Sequence, residues 1–204
     1  MIVQTEEPIT PESIATGIEQ IYYSLNAEHL NLDQWIKAFE NFNRFVKHIP
    51  QYSGQINPNS AQSIVTHSVG ILDILVDKPS IWDNFPIFER VQHATDIYSA
   101  IGTLSVLINT KLIEKDFSKN NVKFDTRSFE VVDGASMQYS FESEFSYEIA
   151  YDGLGYKAGE RIFATSALVK NLSPYLSMEY VVNSKIMSVV VQDQLQRKHD
   201  IWYK

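Results

Sequence analysis

The five histidines are the residues of this chain best suited to acid–base chemistry or to binding a metal ion. His67 and His93 fall inside predicted helices, and Asp96 follows His93 by about one helical turn. If those helices are neighbours, the two histidines and Asp96 could converge as a metal or acid–base site, and Asp73 could join them. Neither an HExxH pattern nor a close histidine pair accompanies them, so hydrogen-bonded structural histidines are the plainer interpretation.

A glycine-rich segment is the second pattern that could carry chemistry, with Gly153, Gly155 and Gly159. A phosphate-binding loop places its glycines between a strand and a helix, so that backbone N–H groups point at the anion. The spacing matches neither GxGxxG nor the Walker pattern, and Glu160 would repel an anion. We therefore predict a mobile loop between two strands, and no cofactor.

Net charge and composition narrow the class of partner. The chain has 204 residues, a net charge of -8 and no cysteine. Nucleic-acid affinity rests on Lys and Arg that neutralise phosphates, so we expect no nucleic-acid partner. The N-terminus lacks the basic and apolar segments of a classical signal peptide, and no stretch reaches the roughly 18–20 apolar residues of a membrane helix. We expect no membrane partner and a cytoplasmic protein, or one assembled into a particle.

The N-terminal half has the periodicity of amphipathic helices. We predict four of them, at about residues 10–25, 31–49, 60–76 and 84–115. Thr10 and Asn31 are suitable N-caps, Pro50 should end the second helix, and Gly102 should mark a kink or a close crossing in the fourth. Four such helices joined by short loops predict an antiparallel four-helix bundle.

The period changes to two after Phe117, which indicates strands. Residues 137–151 alternate almost without fault, as one bent strand or as two strands with a reversal at 142–144. Before them, 124–132 ends at the hairpin-type turn Asp133-Gly134, and 161–169 is extended. We predict a further hairpin over 175–191, although Ser173-Pro174 would also suit the start of a helix.

These patterns predict an α+β fold, in which a helical bundle packs on a mainly antiparallel C-terminal sheet. The helical part should span residues 1–117 and the β-rich part residues 118–204, packed together as one compact unit.

Both ends of the chain carry apolar side chains beyond a polar stretch: Ile2, Val3, Ile201, Trp202 and Tyr203. Tyrosine and tryptophan are favoured at protein interfaces, although such ends can equally dock on their own domain. We therefore expect a non-enzymatic structural or assembly protein, acting as a homo-oligomer or as a subunit of a larger particle such as a virus or phage. Two alternatives stay open: a monomeric acidic binding or inhibitor module, and a metal- or acid–base-dependent enzyme using the histidines of the bundle.

Overall fold

The computed structural model describes residues 8–26, 31–132, 136–141, 145–150, 155–175, 186–193 and 198–203. Its helices are α1 (Pro11–Leu25), α2 (Leu32–Tyr52), α3 (Pro58–Val76), α4 (Pro79–Trp82) and α5 (Ile87–Thr110). Its strands are β1 (Phe117–Ser118), β2 (Val122–Glu130), β3 (Ser136–Phe141), β4 (Phe145–Ala150), β5 (Arg161–Val169), β6 (Ile186–Asp193) and β7 (Lys198–Tyr203). A short 3₁₀ turn, Ser173–Tyr175, follows β5. The chain is thus an α+β protein, as predicted.

Capping boxes confirm the first two predicted helix starts. The hydroxyl of Thr10 accepts a hydrogen bond from the Ser13 backbone N–H at 3.2 Å, and the Ser13 hydroxyl accepts one from the Thr10 N–H at 2.8 Å. Asn31 and Gln34 repeat the pattern at the start of α2, at 2.9 and 3.0 Å. Each pair satisfies two backbone donors that a helix start would otherwise leave without partners.

Two predicted helix ends, at residues 25 and 76, are confirmed, and the other two are wrong. Helix α2 runs past Pro50 to Tyr52, so the predicted stop is wrong. A proline in the last turn removes only one hydrogen bond, and the buried Ile49 keeps that turn against the core. Helix α5 is shorter than predicted at both ends, and it continues through Gly102 without interruption.

The long helices contact one another in a definite order. Helix α1 packs on α2 and α3, and α5 packs on both α2 and α3. Between α2 and α5, Phe39 contacts His93, and Lys47, two turns later, is 3.9 Å from Asp96. Helices α2 and α5 thus pack together although α3 and α4 separate them in the sequence. The antiparallel arrangement of the four helices stays a prediction.

The main sheet has five antiparallel strands in the order β1-β2-β5-β6-β7. Strand β2 pairs with β1 and along its whole length with β5, from Val122 opposite Val169 to Glu130 opposite Arg161. The hairpin predicted between 124–132 and the next strand is wrong, because β3 instead pairs with β4 in a separate two-stranded sheet. The pairing of β3 with β4 shows that the alternating segment at 137–151 forms two strands and not one bent strand. Residues 186–193 form strand β6, so the strand predicted at 186–191 is confirmed. The hairpin predicted over 175–191 is wrong, because β6 pairs with β5 on one side and with β7 on the other. Residues 176–185 lie outside the described part.

Helices and sheet share one apolar core. Helix α5 packs on β2, β5 and β6, and α3 packs on β1 and β2. The core cluster joins residues of every long helix to Val122, Phe124, Ala167 and Val169 of the sheet. All residues of β5 from Ile162 to Val169 are buried, so both faces of the sheet are covered at its central strand. Among the residues that the structure describes, no helix combines the length and apolarity needed to cross a membrane.

Candidate functional site: the groove between helices α2 and α5

A groove of about 430 Å³ lies between α2 and α5, within the size range of small-ligand clefts. Helix α2 contributes residues at i, i+4 and i+8, the spacing that places side chains on one helical face. The lining residues are Phe39, Glu40, Asn43, Arg44, Lys47 and His48 of α2, and Gln92, His93 and Asp96 of α5. The groove thus combines carboxylates, cations, histidines and one aromatic ring, and it contains two of the residues singled out in the sequence.

His93 is enclosed by aromatic rings on one side of this groove. Its ring centroid is 4.8 Å from those of Phe39 and Phe85 and 5.8 Å from that of Trp35, with the rings nearly perpendicular. Burial lowers the pKa of His93, and the opposing attraction of the nearby Asp96 carboxylate does not cancel it. His93 is therefore a neutral imidazole at neutral pH.

Two ring nitrogens in this cluster are buried without a hydrogen-bond partner in the described part of the chain. The Nδ1 atom of His93 and the Nε1 atom of Trp35 are both buried, and neither has a hydrogen-bond partner among the described residues. Buried polar atoms without a partner are rare in folded proteins, so this pair requires an explanation.

Asp96 lies one turn from His93 and is held by several long contacts. Its carboxylate oxygens are 3.5 Å from Asn43 Nδ2, 3.4 Å from Gln92 Nε2 and 3.9 Å from Lys47 Nζ. At these distances each contact is weak. The carboxylate is thus partly exposed to the groove, with a cation beside it.

The structure does not bring His67 or Asp73 to this groove. His67 lies between α1 and α3, where its ring contacts Tyr22 and Tyr23 at centroid distances of 5.3 and 5.9 Å. Asp73 accepts a 2.6 Å hydrogen bond from the backbone N–H of Asn121, which ties α3 to the turn between β1 and β2. Within the described residues, no group of three or more His, Asp or Glu side chains is arranged to hold a metal ion. Of the four residues predicted to converge, only His93 and Asp96 share a site.

The glycine segment is only partly described, since Gly153 lies outside the described residues. Gly155 and Gly159 have φ angles of 70° and 80°, which explains glycine at both positions. The Gly159 N–H donates to the carbonyl of Val131 at 2.9 Å, so it is already used to hold the loop on the end of β2. The mobility predicted for this loop stays a prediction.

The predicted interface residues are also only partly described by the structure. Ile2 and Val3 lie outside the described residues. Ile201, Trp202 and Tyr203 form part of β7, which pairs with β6 and comes last in the strand order. The apolar C-terminal segment therefore docks on its own sheet and, at the same time, forms the edge of that sheet.

Sequence reasoning missed Asn43, which lines the groove, and Trp35, whose ring contacts His93. Asn43 is a buried amide within the apolar stripe of α2, beside Phe39 and Phe42. A polar residue at such a position is a signal that could have been read from the sequence. Trp35 fits the apolar stripe, so its polar N–H gave no such signal.

Comparison with known proteins assigns the chain to no family. No protein-family model matches it, and no curated protein matches it significantly. Its function is therefore inferred from its own residues.

Proposed function

We propose that this chain is a non-enzymatic structural or assembly protein that works as a homo-oligomer or as a subunit of a larger particle. Within each subunit, we take the four long helices to form a bundle packed on the sheet. The partner is another protein, in the first place a second copy of the chain.

The observation that carries this proposal is the position of β7. This strand ends the order β1-β2-β5-β6-β7, and among the described strands none pairs with its outer side. An edge strand directs one row of backbone N–H and C=O groups away from the sheet, where they can pair with a strand of another molecule. The segment also contains Ile201, Trp202 and Tyr203, residue types suited to an interface.

An exposed apolar pair on α5 gives further support. Ile87 and Phe88 occupy the first turn of α5, and they are 56% and 65% exposed. Single exposed apolar side chains are common, but two adjacent ones make a small patch that a partner could cover.

Two neighbouring proline substitutions test the edge-strand proposal. Adjacent residues of a strand direct their N–H groups to opposite sides, so in Ile201→Pro and Trp202→Pro one proline removes an N–H that faces β6 and the other removes an outward N–H. We expect an oligomeric wild type by size-exclusion chromatography with light scattering. One of the two variants should become monomeric while keeping the far-ultraviolet circular dichroism and unfolding midpoint of the wild type.

The matched controls are Ile201→Val and Trp202→Val, which change the same side chains and keep both N–H groups. They separate the loss of backbone pairing from the loss of a side chain. A wild-type chain that is monomeric at every concentration, or an oligomer that survives both prolines, would contradict pairing through β7. A monomer that binds a basic protein with steep salt dependence would favour the alternative of an acidic binding module.

A further inference from the structure

The two unpartnered nitrogens of the α2–α5 interface are complementary in chemistry. An indole N–H can only donate a hydrogen bond, whereas a neutral imidazole carries one donor and one acceptor nitrogen. Trp35 is fully buried on α2, and His93 presents a buried Nδ1 from α5. Their ring centroids are 5.8 Å apart at an interplanar angle of 64°, which is the geometry of rings meeting edge to face.

We propose that Trp35 and His93 form a pH-sensitive lock between α2 and α5, in which the indole N–H donates to the Nδ1 atom of a neutral His93. The two nitrogens are not bonded in the structure, so the proposed bond requires one of the rings to rotate. The bond satisfies both buried groups at once. It also fixes the histidine tautomer, because an Nδ1 that accepts leaves the proton on Nε2.

Protonation of His93 breaks this lock. The second proton goes to Nδ1, which then places its own N–H against the N–H of Trp35, so that two donors oppose each other. The new charge also lies among the rings of Trp35, Phe39 and Phe85, where it is poorly solvated. Separation of α2 from α5 relieves both costs, and we expect the groove to widen when His93 is charged.

Several charged or titratable groups lie around His93 and shape its response. They are Glu40, Arg44, Lys47 and His48 from α2, Glu89 and Asp96 from α5, and Asp83 with Arg90 beside Phe85. The carboxylates of Asp96, Glu89 and Glu40 favour the charged ring, but burial outweighs them and lowers the pKa of His93. The ring is therefore charged more easily in the unfolded chain than in the folded one.

The sign of the pH effect follows from that difference. Above pH 6.5, the ordinary pKa of histidine, the ring is neutral in both states and the lock contributes fully to stability. As the pH falls from 6.5 through the lowered pKa of the folded state, the unfolded chain binds a proton first and stability is lost. Each unit by which the pKa is lowered corresponds to a tenfold change in the unfolding equilibrium constant.

Nuclear magnetic resonance on the full chain tests the hydrogen bond directly. At pH 7.5, long-range ¹H–¹⁵N spectra should show His93 as the Nε2–H tautomer, and the indole N–H of Trp35 should be protected from exchange. Acidification should shift the Trp35 indole signal with the same midpoint as the His93 ring, below pH 6.5. An Nδ1–H tautomer, or an indole signal that does not follow the His93 titration, would overturn the proposal.

Three variants test the consequence for stability. His93→Gln cannot titrate but can still accept from Trp35, Trp35→Phe keeps a ring and removes the donor, and His48→Gln is the control. His48 lines the same groove, but its Nδ1 is already paired with the Arg44 carbonyl at 2.8 Å. When the pH is lowered from 7.5 to 5.5, the wild type and His48→Gln should lose the same free energy of unfolding. His93→Gln should lose less, because it cannot titrate at this position.

The tryptophan variant separates a lock from simple packing. Without the opposing indole N–H, the pKa of His93 in Trp35→Phe should rise towards its ordinary value. A merely structural role of Trp35 would leave that pKa in place. The same pH dependence in His93→Gln and the wild type, or an unchanged pKa of His93 in Trp35→Phe, would show that no such lock exists.

Discussion

Replacing Asn109 by leucine tests how α5 is held on the sheet. The Asn109 Nδ2 donates to the carbonyl of Val190 at 3.0 Å, and its Oδ1 accepts from the hydroxyl of Thr165 at 2.5 Å. That hydroxyl is in turn 3.1 Å from the hydroxyl of Thr126. All three side chains are buried, so water cannot replace a lost partner. One amide thereby connects α5 with β5 and β6, and through Thr165 with β2.

The cost of Asn109→Leu follows from the two hydrogen bonds it removes. Leucine is similar in size, so the main loss is polar: the hydroxyl of Thr165 loses its acceptor on Asn109 and the carbonyl of Val190 loses a donor. The Thr165 hydroxyl keeps the Thr126 hydroxyl as a partner, so we count two lost hydrogen bonds and expect the free energy of unfolding to fall by about 1–3 kcal/mol. Thr165→Val should cost about 1–3 kcal/mol, because it leaves the oxygen of Asn109 unpaired.

The double variant gives the sharpest result. With leucine at 109 and valine at 165, the groups that faced each other are both apolar, and neither leaves the other unsatisfied. The double variant should therefore be more stable than the sum of the two single changes predicts, by about 1–2 kcal/mol. Urea unfolding at 25 °C, followed by circular dichroism, gives all four free energies of the cycle.

Ser105→Ala is the matched control. Ser105 is equally buried on α5, but its hydroxyl bonds to the Ile101 carbonyl within the same helix. Its loss removes no hydrogen bond to the sheet, and we expect a change below about 1 kcal/mol, since alanine favours the helix. Additivity of Asn109→Leu and Thr165→Val to within about 0.5 kcal/mol would refute the proposed coupling of α5 to the sheet.

Two further changes test other contacts by urea unfolding. Gly70→Ala should destabilise the chain by about 1–3 kcal/mol, because a Cβ at this position would overlap the ring of Tyr22 where α1 meets α3. Gly54→Ala, with nothing near the added Cβ, should leave the free energy of unfolding unchanged or raise it slightly. An equal loss of stability in the two variants would contradict the proposed overlap with Tyr22. A hydrogen bond with Asp125 raises the pKa of Asp116, so stability from this pair is complete below pH 3.8 and is lost as the pH rises through the raised pKa. Asp116→Asn keeps a hydrogen-bond donor without the charge. The free energy of unfolding that it gains over the wild type should be larger at pH 7 than at pH 4. The same gain at both pH values would contradict the proposed hydrogen bond between Asp116 and Asp125.

Much of the local structure could be predicted from neighbouring residues. The capping boxes at Thr10 and Asn31 and the alternation along β3 and β4 depend on side chains only a few positions apart. Strand β5 begins and ends at the predicted residues, 161 and 169. Such signals are local because a cap, a helical stripe or a strand face is defined within two or three turns or one strand.

The candidate site was only half predictable. The spacing of His93 and Asp96 on one helix places them one turn apart whatever else the chain does. Whether His67 lies near them depends on which neighbouring helix each histidine contacts. His67 faces α1 and His93 faces α2, so the two rings belong to different interfaces.

Three features were decided by tertiary structure alone. Strand β2 pairs with β5, more than thirty positions away, and not with the strand that follows it. Helices α2 and α5, which α3 and α4 separate in the sequence, pack together, and Trp35 meets His93 between them. Each of these choices is a competition between distant segments for the same apolar surface and backbone partners. Period and capping by themselves predicted the four long helices and most of the strands, though not α4, β1 or β7, because local signals lie within one element. Only the packing of the whole chain decides which partner each element takes.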